Sequence, residues 1–127
     1  VGLIPVVCVG EPSHIRREGR AIPYVRDQVL SSCEDLTEDL VIAYEPVWAI
    51  GSGEAASADI ASEMHLEIKA VLADRYPELR VLYGGSVKPD NCAAFTMTTG
   101  IDGLLVGGAS LSAESFWNIC ASAKGAE

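Results

Sequence analysis

The chain has 127 residues, 49% of them apolar, with 18 acidic against 9 basic side chains and a net charge of −9. That is enough to bury one core, and the acidic balance excludes nucleic acid and anionic membrane surfaces as partners. The four cysteines show no Cys-x-x-Cys spacing and have only His14 and His65 for company, so the residues imply no metal and no cofactor.

In chain order, Leu3 to Val9 reads as a strand restricted near Pro5. Pro12 to Ser32 reads as helix in one or two pieces, with Gly19 and Pro23 as interruptions. Leu40 to Tyr44 is the next strand. Ala58 to Arg75 is the clearest helix, with Ser57 as N-cap, Asp59 in the first turn and Ile60, Met64, Ile68, Val71 and Leu72 along one stripe. Arg80 to Tyr83 is a third strand, and Pro89 at a first helical position opens a helix to about Met97. Gly103 to Val106 is a fourth strand, after which Ser112 caps a helix to about Ala123. Apolar strands alternating with helices predict a parallel sheet built from βα units. Cys8 falls in a strand, and Cys92 and Cys120 fall on apolar helix faces; all four thiols are expected to be free and buried, in a reducing cytosol. No signal-peptide pattern opens the chain and no apolar run approaches the roughly 20 residues of a membrane span, so a cytoplasmic location is expected.

The chemistry concentrates in Val41 to Gly53. Glu45 stands at the C-terminal tip of a short apolar strand, and Pro46 holds it in an extended conformation. A mostly apolar segment follows, with Trp48 at its base and Gly51 and Gly53 at its tip, the profile of a hinged cover. A carboxylate beneath such a cover suits a base that abstracts a proton away from water. A lone glutamate at a strand end is more often a solvated side chain; the surrounding thirteen residues decide against that here. Glycine pairs recur at Gly84-Gly85 and Gly107-Gly108, each closing an apolar strand where an anion could approach backbone N–H groups. Single Gly-Gly pairs are usually turns, but two consecutive strands ending so are more telling. His65 beside the apolar stripe and His14 among Arg16, Arg17 and Glu18 read as packing or surface residues.

The run Tyr44-Glu45-Pro46-Val47-Trp48-Ala49-Ile50-Gly51-Ser52-Gly53 resembles the catalytic strand and lid of the triosephosphate isomerase family. Cys8-Val9-Gly10-Glu11 is similar to the end of that family's fifth strand, Tyr83-Gly84-Gly85-Ser86-Val87 to its seventh, and Asp102 to Leu111 to its eighth. The resemblance implies an α/β fold, a (β/α)8 barrel of which residues 1–127 form the C-terminal (β/α)4 half, since a whole barrel takes about 250 residues. It implies interconversion of dihydroxyacetone phosphate and glyceraldehyde 3-phosphate through an enediolate, with Glu45 as the proton-transferring base. Gly51, Ser86, Gly107 and Gly108 are implied as substrate-phosphate contacts. Ile50 and Leu105 would close over the carboxylate, Tyr83 and Ser86 would bond the lid near Ala56 and Gly53, and Trp48 with Glu11 would form its N-terminal hinge.

The family's binding asparagine and lysine, its catalytic histidine and its dimer-locking loop belong to the first four strands and have no counterpart here. Lys69, Lys88, Lys124 and the two histidines do not replace them. The chain, opening at Val1 inside strand-like sequence, therefore reads as a piece of a homodimeric enzyme that needs the other half of the barrel and is inactive alone. Two alternatives compete. Another phosphate-binding barrel enzyme would share the glycine pairs but not the Glu-Pro-Val-Trp run, and a half-barrel could serve as a non-catalytic phosphate binder or self-assembling module. Open edges near Val7 and Leu105 predict self-association or a partly molten state for the segment by itself.

Overall fold

The computed structural model describes residues 2–36, 39–50 and 55–124. Four parallel strands, β1 (Val6–Val9), β2 (Val41–Tyr44), β3 (Arg80–Tyr83) and β4 (Gly103–Leu104), pair in sequence order. The register aligns Val6 with Val41 and Arg80, and Cys8 with Ala43, Leu82 and Gly103. Each crossover is helical: α1 (Ser13–Arg17) and α2 (Ala21–Ser32), then α3 (Ala58–Leu72), then α4 (Cys92–Thr96), with α5 (Ala113–Lys124) after β4. This is the parallel β/α order expected from the alternation of patterns.

The helices cover one face of the sheet. Val9, Ile42, Tyr44, Val81 and Tyr83 point into that core, where Val25 and Val29 of α2 and Met64, Ile68 and Leu72 of α3 meet them. Alternate residues of the same strands, Val6, Cys8, Arg80 and Leu82 among them, stand on the other face with less cover. β1 and β4 are the two edges of the sheet, as expected from Val7 and Leu105.

Several boundaries differ from the sequence reading, each for a physical reason. The first strand begins at Val6 rather than Leu3. Gly19, at φ +71°, separates α1 from α2, whereas Pro23 does not interrupt: it lies in the first turn of α2, where no intrahelical N–H bond is needed. Ser57 does cap α3, accepting from the Ile60 amide at 3.3 Å. That helix stops at Leu72 rather than Arg75, and the Arg75 guanidinium donates to the carbonyls of Cys33, Glu34 and Leu36, at and just beyond the end of α2. Pro89 sits in a turn before α4 instead of opening it: the Lys88 amide is capped by Asn91 Oδ1 at 2.8 Å, and the helix starts at Cys92. The fourth strand is only Gly103–Leu104, although the Leu105 amide still reaches the Tyr83 carbonyl at 2.8 Å before the chain bends away. Cys33 and Cys92 are buried, but Cys8 and Cys120 are exposed, against the expectation of four buried thiols. Cys8 faces the uncovered side of the sheet.

Candidate active site

Strand ladders run on past the last strand residues and converge at the C-terminal mouth of the sheet. The Glu45 amide donates to the Val9 carbonyl at 2.7 Å and the Gly84 amide to the Tyr44 carbonyl at 2.8 Å. These bonds set Gly10, Glu45, Gly84 and Leu105 side by side. Two of those positions tolerate no side chain. A Cβ at Gly10 would press into the Glu45 backbone, 2.5 Å from its carbonyl carbon, and one at Gly84 would lie 2.6 Å from Glu45 Cγ and 3.3 Å from its Oε1. The glycines let the neighbouring strand ends close on Glu45 and fix where its carboxylate stands.

That carboxylate borders a cleft of about 980 Å³. Ile50 and Leu105 supply apolar wall, Ser86 and Val87 follow β3, and Gly107, Gly108 and Ala109 follow β4. Ile50 is half-exposed and Leu105 partly buried, so both border the carboxylate's cleft without sealing it. A Cβ at Gly107 or Gly108 would meet nothing within 4 Å, so the protein's own packing does not demand glycine there; the missing side chains leave the backbone open toward the cleft. The amides of Ser86, Gly107 and Gly108 find no acceptor among the described residues. Unpaired N–H groups at a cleft are ready donors for an anion. Gly107 also caps a short 3-10 turn over Gly108–Leu111, and its carbonyl accepts from Ser110 Oγ at 2.7 Å. Gly51, the remaining expected phosphate contact, lies outside the described residues, as does the Gly53 side of the expected Ser86 contact.

Behind Glu45 lies a buried polar cluster. Glu11 is fully buried, and its carboxylate accepts from Trp48 Nε1 at 2.9 Å, from the Tyr44 hydroxyl at 3.1 Å and from Arg16 Nη1 at 3.0 Å. The Arg16 guanidinium also stacks over the Trp48 ring, 5.0 Å from its centroid. Burial, and then the adjacent Glu11 carboxylate, push the Tyr44 hydroxyl far above its ordinary range, so it stays a proton donor. The Glu11–Trp48 pair is as expected; Tyr44 and Arg16 were missed, although an arginine five residues after the glutamate was a usable signal. After residues 51–54, the Ala56 amide donates to the Tyr83 hydroxyl at 3.2 Å, and the Tyr83 ring stacks on Phe95 at 4.0 Å.

Cys8 was read as a buried strand thiol with no part in the site. It stands beside Glu45, and burial, followed by the Glu45 charge and hydrogen bond, raises its thiol above the ordinary value. Gly10 and Ser115 were given no role at the site, and Gly84 was read for anion approach rather than for its packing against Glu45; Gly84 and Ser115 line the cleft. Among the described residues no three His, Cys, Asp or Glu side chains group as metal ligands, and no helix is long and apolar enough to cross a membrane.

A parallel β/α sheet whose polar groups and glycine corners gather beyond the carboxyl ends of its strands places the chain among the α/β proteins that bind ligands at that end. Residues 1–123 match the family model described as triosephosphate isomerase. The chain is 48% identical over 124 residues to a triosephosphate isomerase of Thermus thermophilus, an alignment covering 91% of this chain and 50% of that one. It is 50% identical over 121 residues to that of Xanthobacter flavus (91% and 49% covered) and 44% identical over 127 residues to that of Dictyoglomus thermophilum (93% and 51%). The chain belongs to the triosephosphate isomerase family, and it spans about half the length of the curated relatives it matches.

Proposed function

We propose that these residues form the C-terminal (β/α)4 half of a (β/α)8 barrel that, when complete, interconverts dihydroxyacetone phosphate and D-glyceraldehyde 3-phosphate. Glu45 removes a proton from one carbon and returns it to the next through an enediolate. The observation that carries this reading is the single cleft shared by the Glu45 carboxylate and the open amides of Ser86, Gly107 and Gly108. A proton acceptor and an anion cradle at one strand mouth fit a substrate with an acidic C–H and a phosphate. In this reading Gly51 adds a further amide, and the segment between the Trp48–Glu11 and Ala56–Tyr83 bonds covers the carboxylate, with Ile50 and Leu105 excluding water from it.

A carboxylate is a weak base toward carbon acids, so the enediolate oxygens need strong donors. The described cleft offers backbone amides and the exposed Lys88, and no histidine. Loss of one oxyanion donor costs roughly 10²–10³ in rate, so turnover requires the lysine and histidine of the other half of the barrel. The same reading makes the whole protein a cytoplasmic homodimer that uses no cofactor. The test mixes this chain with an N-terminal half carrying that lysine and histidine, and assays isomerisation with Glu45 and with Glu45→Gln. Turnover that appears on mixing and vanishes in the variant is expected. Phosphate binding without turnover in either mixture would instead support the non-catalytic module.

A further inference from the structure

The register sorts the face of the sheet away from the helices, where Ala43 is buried and Val6, Cys8 and Arg80 are exposed, into three tiers. Val6, Val41 and Arg80 stand at the N-terminal end, Cys8, Ala43, Leu82 and Gly103 in the middle, and Glu45, Gly84 and Leu105 at the mouth. The middle tier is small and apolar apart from one thiol. Charge is confined to the two ends: Glu45 in the site, and Arg80 at the opposite end, where the proposed reaction has no use for it. Arg80 is exposed and makes no ion pair with any described residue. The acids that border the grooves at its end do not neutralise it. Asp102 is engaged by Lys69 Nζ at 2.7 Å and by the Val81 amide at 2.7 Å, while Glu78 and Asp39 border the same grooves as Arg80 but form no ion pair with it.

We propose that Arg80 determines what closes this face: a sheet from outside these residues that brings a carboxylate into the N-terminal tier, and not a second copy of this chain. The inference rests on the half-barrel reading. Closing a barrel packs the inward residues of its strands in layers and removes them from water. A guanidinium cannot shed its charge, so it must be paired when buried. A second copy, joined edge to edge about a two-fold axis along the barrel, would place both sets of Val6, Val41 and Arg80 in one layer. That layer would hold two guanidiniums and no carboxylate. The nine surplus negative charges of the chain give no relief, because no acidic residue belongs to this tier.

The test uses the chain itself as the probe of the complementary acid. Sedimentation equilibrium is run on the unaltered chain, on Arg80→Leu, on Arg80→Glu, and on an equimolar mixture of the unaltered and Arg80→Glu chains, with circular dichroism confirming that each is folded. The mixture is expected to form a one-to-one heterodimer about tenfold or more tighter than either chain self-associates, weakening with added salt, and Arg80→Leu is expected to self-associate more tightly than the unaltered chain. Equal association in all four samples, or none in any, overturns the proposal. Success of the mixed-half isomerase assay alongside that outcome would leave the barrel reading standing and remove Arg80 from it; failure of both would remove the barrel reading itself.

Discussion

His65 makes the acid sensitivity of this fold a calculable quantity. It lies on α3 with no exposed surface, its ring edge-on to Tyr44 at 5.8 Å, and Nδ1 3.3 Å from the Gly100 carbonyl. Nε2 has no hydrogen-bond partner among the described residues. Only the Gly100 carbonyl meets the ring at full hydrogen-bond geometry among the described residues, and a buried ring so placed is comfortable only when neutral. Burial pushes its pKa down from 6.5 to about 4, helped by Lys69 and against smaller upward pulls from the Gly100 backbone, Asp102 and the Val81 backbone. The native value lies below the unfolded one, so acid protonates the unfolded chain first. The stability is whole above the unfolded value and is lost as pH falls from about 6.5 toward 4. At 1.36 kcal/mol per unit, the full difference is about 3 kcal/mol, of which about 2 kcal/mol should disappear between about pH 7 and about pH 5. Urea unfolding across that range measures it, with His65→Gln as the comparison, since the amide keeps a donor for Gly100 but does not titrate. The variant should be less stable at neutral pH and should show a shallower fall on acidification, by about the 2 kcal/mol assigned to the imidazole. Parallel pH profiles for the two proteins would refute the reasoning, because the loss would then belong to carboxylates.

Two glycines at the site should fail differently. Gly10→Ala drives a Cβ into the Glu45 backbone, which cannot yield without breaking the β1–β2 ladder, and should cost about 4 kcal/mol or more, read by urea unfolding. Gly84→Ala meets mainly the Glu45 side chain, so it should cost about 1–2 kcal/mol yet, in the completed barrel, lower kcat more than it raises KM. Glu11→Ala strands Arg16, the Tyr44 hydroxyl and Trp48 Nε1 around a buried hole and should destabilise by about 3 kcal/mol; Trp48 emission in a Trp117→Phe background should shift at the same time. The exposed Cys8 and Cys120 should react with a thiol reagent well before the buried Cys33 and Cys92, and Glu45→Gln should accelerate only the Cys8 reaction, by removing the negative charge that opposes its thiolate.

The order of elements was legible because each signal was local: apolar runs for the four strands, a 3.6-residue stripe for α3, and Ser57 and Ser112 as caps, the latter accepting from the Ser115 amide at 3.3 Å. Glu45 was legible from the run around it, and the cleft does contain it together with Ser86, Gly107 and Gly108. What escaped were contacts between residues far apart in sequence. Arg75 read as helix because nothing local reveals that it reaches the carbonyls at the end of α2, some forty residues earlier. Pro89 read as a helix opener because the Asn91 side chain, two residues on, captures the Lys88 amide first. Cys8 read as buried because an apolar strand looks the same from both sides, and only the absence of a covering layer exposes it. Gly10 and Gly84 look like ordinary turn glycines until the neighbouring strand is in place.

The anionic substrate of the proposed reaction and the net charge of −9 are reconciled by where the charges sit. Charges more than about 8 Å away through solvent are screened at physiological ionic strength, so the bulk balance says little about the cleft. Its lining holds the acids Glu45 and Asp90 together with Lys88 and the amides beyond β3 and β4 that have no acceptor among the described residues. Those amides carry fixed partial positive charge without a counter-ion and without side-chain entropy to lose, which suits a phosphate better than a mobile lysine would. Glu45 in turn is held apart from Glu11, whose charge is spent on Arg16, Tyr44 and Trp48. The sheet thus keeps one carboxylate paired behind the mouth and sets a second, Glu45, at the border of the cleft in front of it.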